Sequence, residues 1–170
     1  MKRLIFAFIV LLVAFDTGAT NPEKVVTIDT KTGQLEGTLL TPNTQCTNAV
    51  ALIIAGSGPT DRDGNNPMMT NNSLKLLAQG LASQGIASLR YDKRGIGNSQ
   101  AAGIEEIKLR FEHYIEDASD WVTFLNQHQQ FQQIVVIGHS EGALIGNVVS
   151  QNSKVDKFVS LAGAGRPISE

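Results

Sequence analysis

Apolar and polar residues follow two different rhythms along this chain. In "KVVTIDTKTGQLEGTLLTP" they alternate, over Val25 to Ile28 and again over Leu35 to Leu40, around Thr30-Lys31-Thr32-Gly33. A period of two predicts strands with one solvated face, and Gly33 can take a positive φ, so the stretch predicts a β-hairpin at a sheet edge. Further on the rhythm changes. "AVALIIAG" (Ala49 to Gly56), "IASLRYD", "QIVVIG" and "KFVSLAGAG" (Lys157 to Gly165) are short, continuously apolar and bounded by glycine or charge. Such runs predict strands buried on both faces.

Helical spacing fills the intervals. In "SLKLLAQGLASQG", Leu74, Leu77, Ala78 and Leu81 share one face, with Asn72 or Ser73 as a candidate N-cap and Gly85 as a stop. Between Glu105 and His128, Ile115, Ala118, Val122 and Leu125 recur on one face, with Trp121 beside them. Leu144, Ile145, Val148 and Val149 do the same in "EGALIGNVVSQN". Buried strands alternating with helices predict an α/β fold, a mostly parallel sheet with helices on both faces and an antiparallel hairpin at its start.

The first twenty residues belong to neither rhythm. "MKRLIFAFIVLLVAFDTGAT" sets Lys2 and Arg3 before an apolar run from Leu4 to Phe15, followed by the small residues Thr17-Gly18-Ala19. About a dozen apolar residues fall short of the roughly twenty that span a bilayer, so the run predicts a signal peptide over residues 1–19, cleaved near Ala19. The remaining 20–170 are expected to form one domain, exported to the periplasm or beyond the cell, with no membrane span after cleavage. A buried helix or a membrane anchor is the competing reading of this run.

Composition narrows the partners. The formal charge is −2 and the basic residues are scattered, which argues against a nucleic-acid partner. Cys46 is the only cysteine, so neither an intramolecular disulfide nor a cysteine-based zinc cluster is available, and the residue reads as a spare thiol. No pattern in the chain speaks to oligomeric state.

Candidate chemistry lies in "QIVVIGHSEGALIGN", Gln133 to Asn147. Ser140 falls between a buried strand and a helix, where reactive groups gather in a parallel sheet, and Gly138 and Gly142 provide the G-x-S-x-G spacing of a nucleophile elbow. The competing reading is an ordinary strand-to-helix turn. If Ser140 attacks an acyl carbonyl, the N–H of Glu141 at the helix start can hold the oxyanion. A second donor is expected from the loop after "ALIIAG", with the Ser57 N–H first and Gly58 next.

Three motifs together, "GSGPTDRDGN" (Gly56 to Asn65), "YDKRGIGNS" (Tyr91 to Ser99) and "GHSEG" (Gly138 to Gly142), resemble the esterase-like and serine-aminopeptidase-like branch of the α/β-hydrolase superfamily, over nearly all of the chain after the leader. The resemblance implies the α/β-hydrolase fold and hydrolysis of a small-molecule acyl substrate without metal or organic cofactor. Ester bonds are favoured over amides, because no acidic pocket for an amine can be identified; peptidase and thioesterase chemistry stay open. Asp61-Arg62-Asp63-Gly64 lacks the further ligands and closing glutamate of a calcium loop and is read as structural. "YDKRGIGNS" lacks the pattern of a dinucleotide site and is read as scaffold.

A serine hydroxyl needs a base, normally a histidine oriented by an acid, and in this fold both follow the serine in the chain. No histidine follows Ser140 here. His113 and His128 belong to the helical segment before the elbow strand and read as solvated, and His139 adjoins Ser140 at a position that points elsewhere. Asp156 precedes a strand, at its wrong end, and Glu170 is terminal. No triad acid or histidine is therefore assigned, and the expectation is the N-terminal part of a larger hydrolase, lacking C-terminal strands and lid. The alternatives are a non-catalytic module of the same fold and an inactive shortened product.

Overall fold

The computed structural model describes residues 21–43 and 47–165. Residues 1–19, read above as a signal peptide, Cys46 and Glu170 lie outside the described residues. Six strands form one sheet: β1 (Glu23–Thr30), β2 (Gly33–Leu40), β3 (Ala49–Ile54), β4 (Ala87–Tyr91), β5 (Gln133–His139) and β6 (Lys157–Leu161), in the order β1-β2-β4-β3-β5-β6. β1, β2 and β4 are antiparallel neighbours, and β4, β3, β5 and β6 are parallel. Three helices connect the strands: α1 (Ser73–Ser83), α2 (Phe111–Gln127) and α3 (Glu141–Asn152).

The continuous apolarity of β3 is accounted for by two cores. Val50, Leu52 and Ile54 point to the face covered by α2 and α3, where they meet Trp121, Leu125, Ile145 and Val149. Ala51, Ile53 and Ala55 point to the opposite face and pack with Leu74, Ala78 and Ala82 of α1. A strand between two helical layers has no solvent-facing side, so alternation disappears from its sequence.

The hairpin differs from the expectation in one respect. β1 lies at the sheet edge as expected, and of its side chains only Val26 is fully buried. β2 is an inner strand, hydrogen-bonded to β1 on one side and to β4 on the other. Its alternation arises because a row of polar groups, including Glu36 and Thr38, meets an ion-pair network rather than open water.

Helix boundaries follow the local chemistry. α1 ends in a Schellman pattern: Gly85 adopts φ 78°, its N–H donates to Ala82 O and the Ile86 N–H donates to Leu81 O. At its start, Asn72 occupies the N-cap position in the left-handed region, but its side chain makes no cap bond. The loop supplies the acceptors instead, since Asp63 O takes the Leu74 and Lys75 N–H groups and Asn71 Oδ1 takes the Ser73 N–H. α2 begins at Phe111, after two short 3-10 turns at Gly97–Ala102 and Glu106–Lys108. On α3 the buried side is Ala143, Ile145, Gly146 and Val149, whereas Leu144 is 42 % exposed. β6 ends at Leu161 and pairs only with β5 among the described strands, which leaves Val159 exposed.

Candidate active site

At the carboxyl end of β5 the chain turns directly into α3 through Ser140, which has φ 54° and ψ −116°. This is a strained conformation for a residue with a Cβ. Its neighbours hold it there. The Ser140 N–H donates to Leu161 O of β6 at 2.9 Å, and the Ser140 carbonyl accepts the Ala143 N–H at 3.0 Å. The elbow also needs its two glycines for lack of space: a Cβ on Gly138 would overlap the Gly142 carbonyl, and one on Gly142 would overlap the Ile54 and Ala55 carbonyls. α3 can start this close to β5 and β3 only because both positions lack side chains.

The loop after β3 approaches the elbow from the other side. A Cβ on Gly56 would stand 3.3 Å from the Ser140 Cβ and 3.1 Å from His139 Nδ1. Gly56, Ser57, His139 and Ser140 line one cleft of about 180 Å³, walled further by Thr60, Asn66, Met69 and Leu74. Among the described residues, the Ser57 and Glu141 N–H groups have no hydrogen-bond partner. The cleft thus brings the strained serine beside Ser57 of the loop, and Glu141, the first residue of α3, follows that serine directly in the chain.

None of the three histidines is hydrogen-bonded to Ser140. His113 was expected on a solvated face; its Nδ1 accepts the Arg110 N–H at 3.0 Å and caps α2. His128 is likewise half-buried rather than solvated, its ring 4.7 Å from that of Phe124 and 6.0 Å from that of Phe131. An aromatic ladder absorbs it. His139 is exposed, against Gly56. Asp156 lies at the opposite end of the sheet, where its carboxylate accepts the Ile134 N–H at 2.7 Å.

Two segments read as scaffold form charge networks with buried members. Asp92, Lys93 and Arg94, three consecutive charged residues, are all buried. Asp92 accepts hydrogen bonds from the Arg62 backbone and guanidinium and from the Asn98 N–H, which ties "DRDG" to "YDKRGIGNS". Arg62 also reaches Glu36, whose carboxyl is held below its ordinary range by hydrogen bonds from Asn98 and Arg62. Arg94 makes a two-pronged contact with Asp117 of α2 and donates to Thr32 Oγ1 in the hairpin turn. Arg90 pairs with Asp63 and Glu23.

Lys93 extends this arrangement to the elbow itself. Its Nζ donates to Gly56 O at 2.6 Å and to Glu141 Oε2 at 3.1 Å, and lies 5.2 Å from the Tyr114 ring centre. Sequence reasoning did not single it out. The available signal was a run of unlike charges immediately after a buried strand, ahead of a glycine-rich loop, where charge is costly unless paired.

A larger cleft, about 420 Å³, lies elsewhere, bounded by Thr32, Arg94, His113, Asp117 and Asp120 and containing no elbow residue. No group of three or more potential metal ligands occurs among the described residues. None of their helices is long and apolar enough to cross a membrane.

Residues 70–168 match the family described as "Serine aminopeptidase, S33". Esterase EstD of Thermotoga maritima is 31% identical over 151 residues, which cover 88% of this chain and 35% of that protein. The chain therefore spans about a third of the curated relative it matches. Among solved structures, the α/β hydrolase GrgF from a Penicillium species superposes with TM-score 0.69 at 23% identity, over 84% of this chain and 46% of that one. An α/β serine hydrolase without a lid from Xanthomonas campestris gives 0.66 at 21% identity, over 85% and 63%. These likenesses show the fold expected from the motifs.

Proposed function

Because the chain belongs to the serine aminopeptidase (S33) family and has the α/β-hydrolase fold, we propose that Ser140 is the nucleophile of a hydrolase that cleaves carboxylic esters through an acyl-enzyme. The conformation of Ser140 carries this reading: a strained φ of 54° held between two glycines whose missing side chains make room for α3. Strain of this kind costs about 1–3 kcal/mol and persists where the surroundings over-determine it. The esterase named among the relatives supports ester over amide bonds.

In the proposed reaction Ser140 Oγ loses its proton to a base and attacks the ester carbonyl, and the carbonyl oxygen takes up negative charge as it becomes tetrahedral. The Ser57 and Glu141 N–H groups donate to that oxygen, aided by the positive end of α3. Collapse expels the alcohol, which takes the proton, and water then attacks the acyl-enzyme to release the acid and restore the serine. This reading requires a histidine base and an orienting acid from outside the described residues, since His113, His128 and Asp156 are engaged in the hydrogen bonds and ring contacts given above and His139 stands against Gly56. The apolar run from Leu4 to Phe15 supports the reading of residues 1–19 as an export signal, and the proposed substrates are then small molecules of the periplasm or the medium.

A fluorophosphonate probe tests the assignment. The full-length protein, carrying the histidine and acid that this reading requires, is expected to label at Ser140, and its Ser140→Ala variant to label at background. Equal labelling of the two would leave a non-catalytic domain that merely retains the elbow.

A further inference from the structure

We propose that Lys93 is a positioning residue that aims the oxyanion amides, an inference that rests on the reading of Ser140, Ser57 and Glu141 above. The argument starts from the peptide joining Gly56 to Ser57. None of the described peptide bonds is cis, and in a planar trans peptide the C=O and N–H groups point in opposite directions. Whatever fixes the carbonyl of Gly56 therefore fixes the direction of the Ser57 N–H. That carbonyl is turned inward and accepts Lys93 Nζ at 2.6 Å in a fully buried hydrogen bond. The Ser57 N–H is consequently directed away from Lys93, and Ser57 lines the cleft together with Ser140.

The second contact of the same ammonium falls on the other amide-bearing residue. Lys93 Nζ donates to Glu141 Oε2 at 3.1 Å, and Glu141 is the first residue of α3. The two residues that supply the oxyanion donors lie on different elements, the loop after β3 and the start of α3, and no hydrogen bond joins them directly among the described residues. Lys93, anchored at the end of β4, joins both. The Tyr114 ring completes its surroundings through a cation–π contact at 5.2 Å, so the side chain, only 3% exposed, has each neighbour accounted for. An ammonium on the carbonyl oxygen also polarises the peptide, which strengthens its N–H as a donor.

The contact has a simple geometric demand. Gly56 must let its carbonyl turn inward while Ser140 passes beside its Cα, and a Cβ there would sit 3.3 Å from the serine's own Cβ. Lys93 supplies the buried partner without which that inward carbonyl would be unsatisfied.

Lys93→Met keeps the length of the side chain and removes the donor; Lys93→Arg keeps charge and donors and serves as the second variant if the methionine form does not fold. Amide NMR of the full chain reads the Ser57 resonance directly, and ester turnover with a boronic acid as transition-state analogue reads its consequence. Lys93→Met is expected to move the Ser57 amide resonance, to lower kcat by about 10- to 100-fold, less than the roughly 100- to 1,000-fold of losing an oxyanion donor outright because the Ser57 N–H is misaimed rather than removed, and to weaken the boronic acid in parallel, with KM within about twofold. Lys93→Arg is expected to retain the Ser57 resonance position and most of kcat.

An unmoved Ser57 resonance in a folded methionine variant would overturn the assignment, as would a rise in KM that accounts for the whole loss. So would an arginine variant that is folded and shows as large a Ser57 shift as methionine. Ser140→Ala separates the two claims: turnover that survives it sinks the nucleophile assignment, whereas Ser140-dependent turnover unaffected by Lys93→Met sinks only the role of Lys93. Where turnover is too slow to measure, the Ser57 resonance decides.

Discussion

If the elbow at Ser140 stores strain, removing the side chain in two different ways should separate chemistry from conformation. Ser140→Ala and Ser140→Gly both delete the hydroxyl, but only alanine keeps a Cβ at φ 54° and ψ −116°. A residue forced into such a region costs about 1–3 kcal/mol, whereas glycine loses about 0.5–1 kcal/mol more chain entropy on folding than alanine. Taking the middle of each range leaves Ser140→Gly more stable than Ser140→Ala by about 1 kcal/mol. For a domain of this size each kcal/mol moves Tm by about 2–4 °C. Urea unfolding followed by circular dichroism, with the slope unchanged between variants, gives the free-energy difference directly. Equal stabilities, or a more stable alanine variant, would refute the claim that the surrounding structure holds Ser140 against its own preference.

The buried pair Arg94 and Asp117 offers a second test: Asp117→Ala leaves the guanidinium with Thr32 as its one hydrogen-bond partner among the described residues and is expected to cost about 3–5 kcal/mol in urea unfolding. The double variant Arg94→Met with Asp117→Leu should recover most of that loss, and a double variant as unstable as the sum of the singles would contradict the pairing. Glu36 predicts an acid limb to the stability curve. Its carboxyl titrates below its ordinary value in the folded state because Asn98 and Arg62 hydrogen-bond to it. Its stabilisation is therefore present above about pH 4.5 and lost as the pH falls through its lowered folded value. Glu36→Gln should be less stable than the parent at neutral pH and show a shallower loss on acidification, and parallel curves would count against the network.

Local patterns determined a good deal of this protein by themselves. Continuous apolar runs identified β3, β4 and β5 because a strand covered on both faces has no position for a polar residue, and G-x-S-x-G between a run and a helix identified the elbow because so tight a turn excludes side chains two residues to either side. Gly85 ended α1 where expected, since only local backbone geometry is involved. Other features depended on partners far along the chain. β2 shows the alternation of an edge strand yet sits inside the sheet, because its polar row faces Arg62 and Asn98 rather than water. His128 reads as a surface residue until Phe124 and Phe131 are placed on either side of it. Asp92, Lys93 and Arg94 belong to a stretch that reads as scaffold but names no partners, and only tertiary structure brings them Arg62, Gly56 and Asp117, which lie 23 to 37 positions away. Sequence determined where the tight turn at Ser140 forms, because strand, turn and helix are contiguous. The fold decided what holds the two amides beside it, because a buried charge takes its role from partners that no local pattern names.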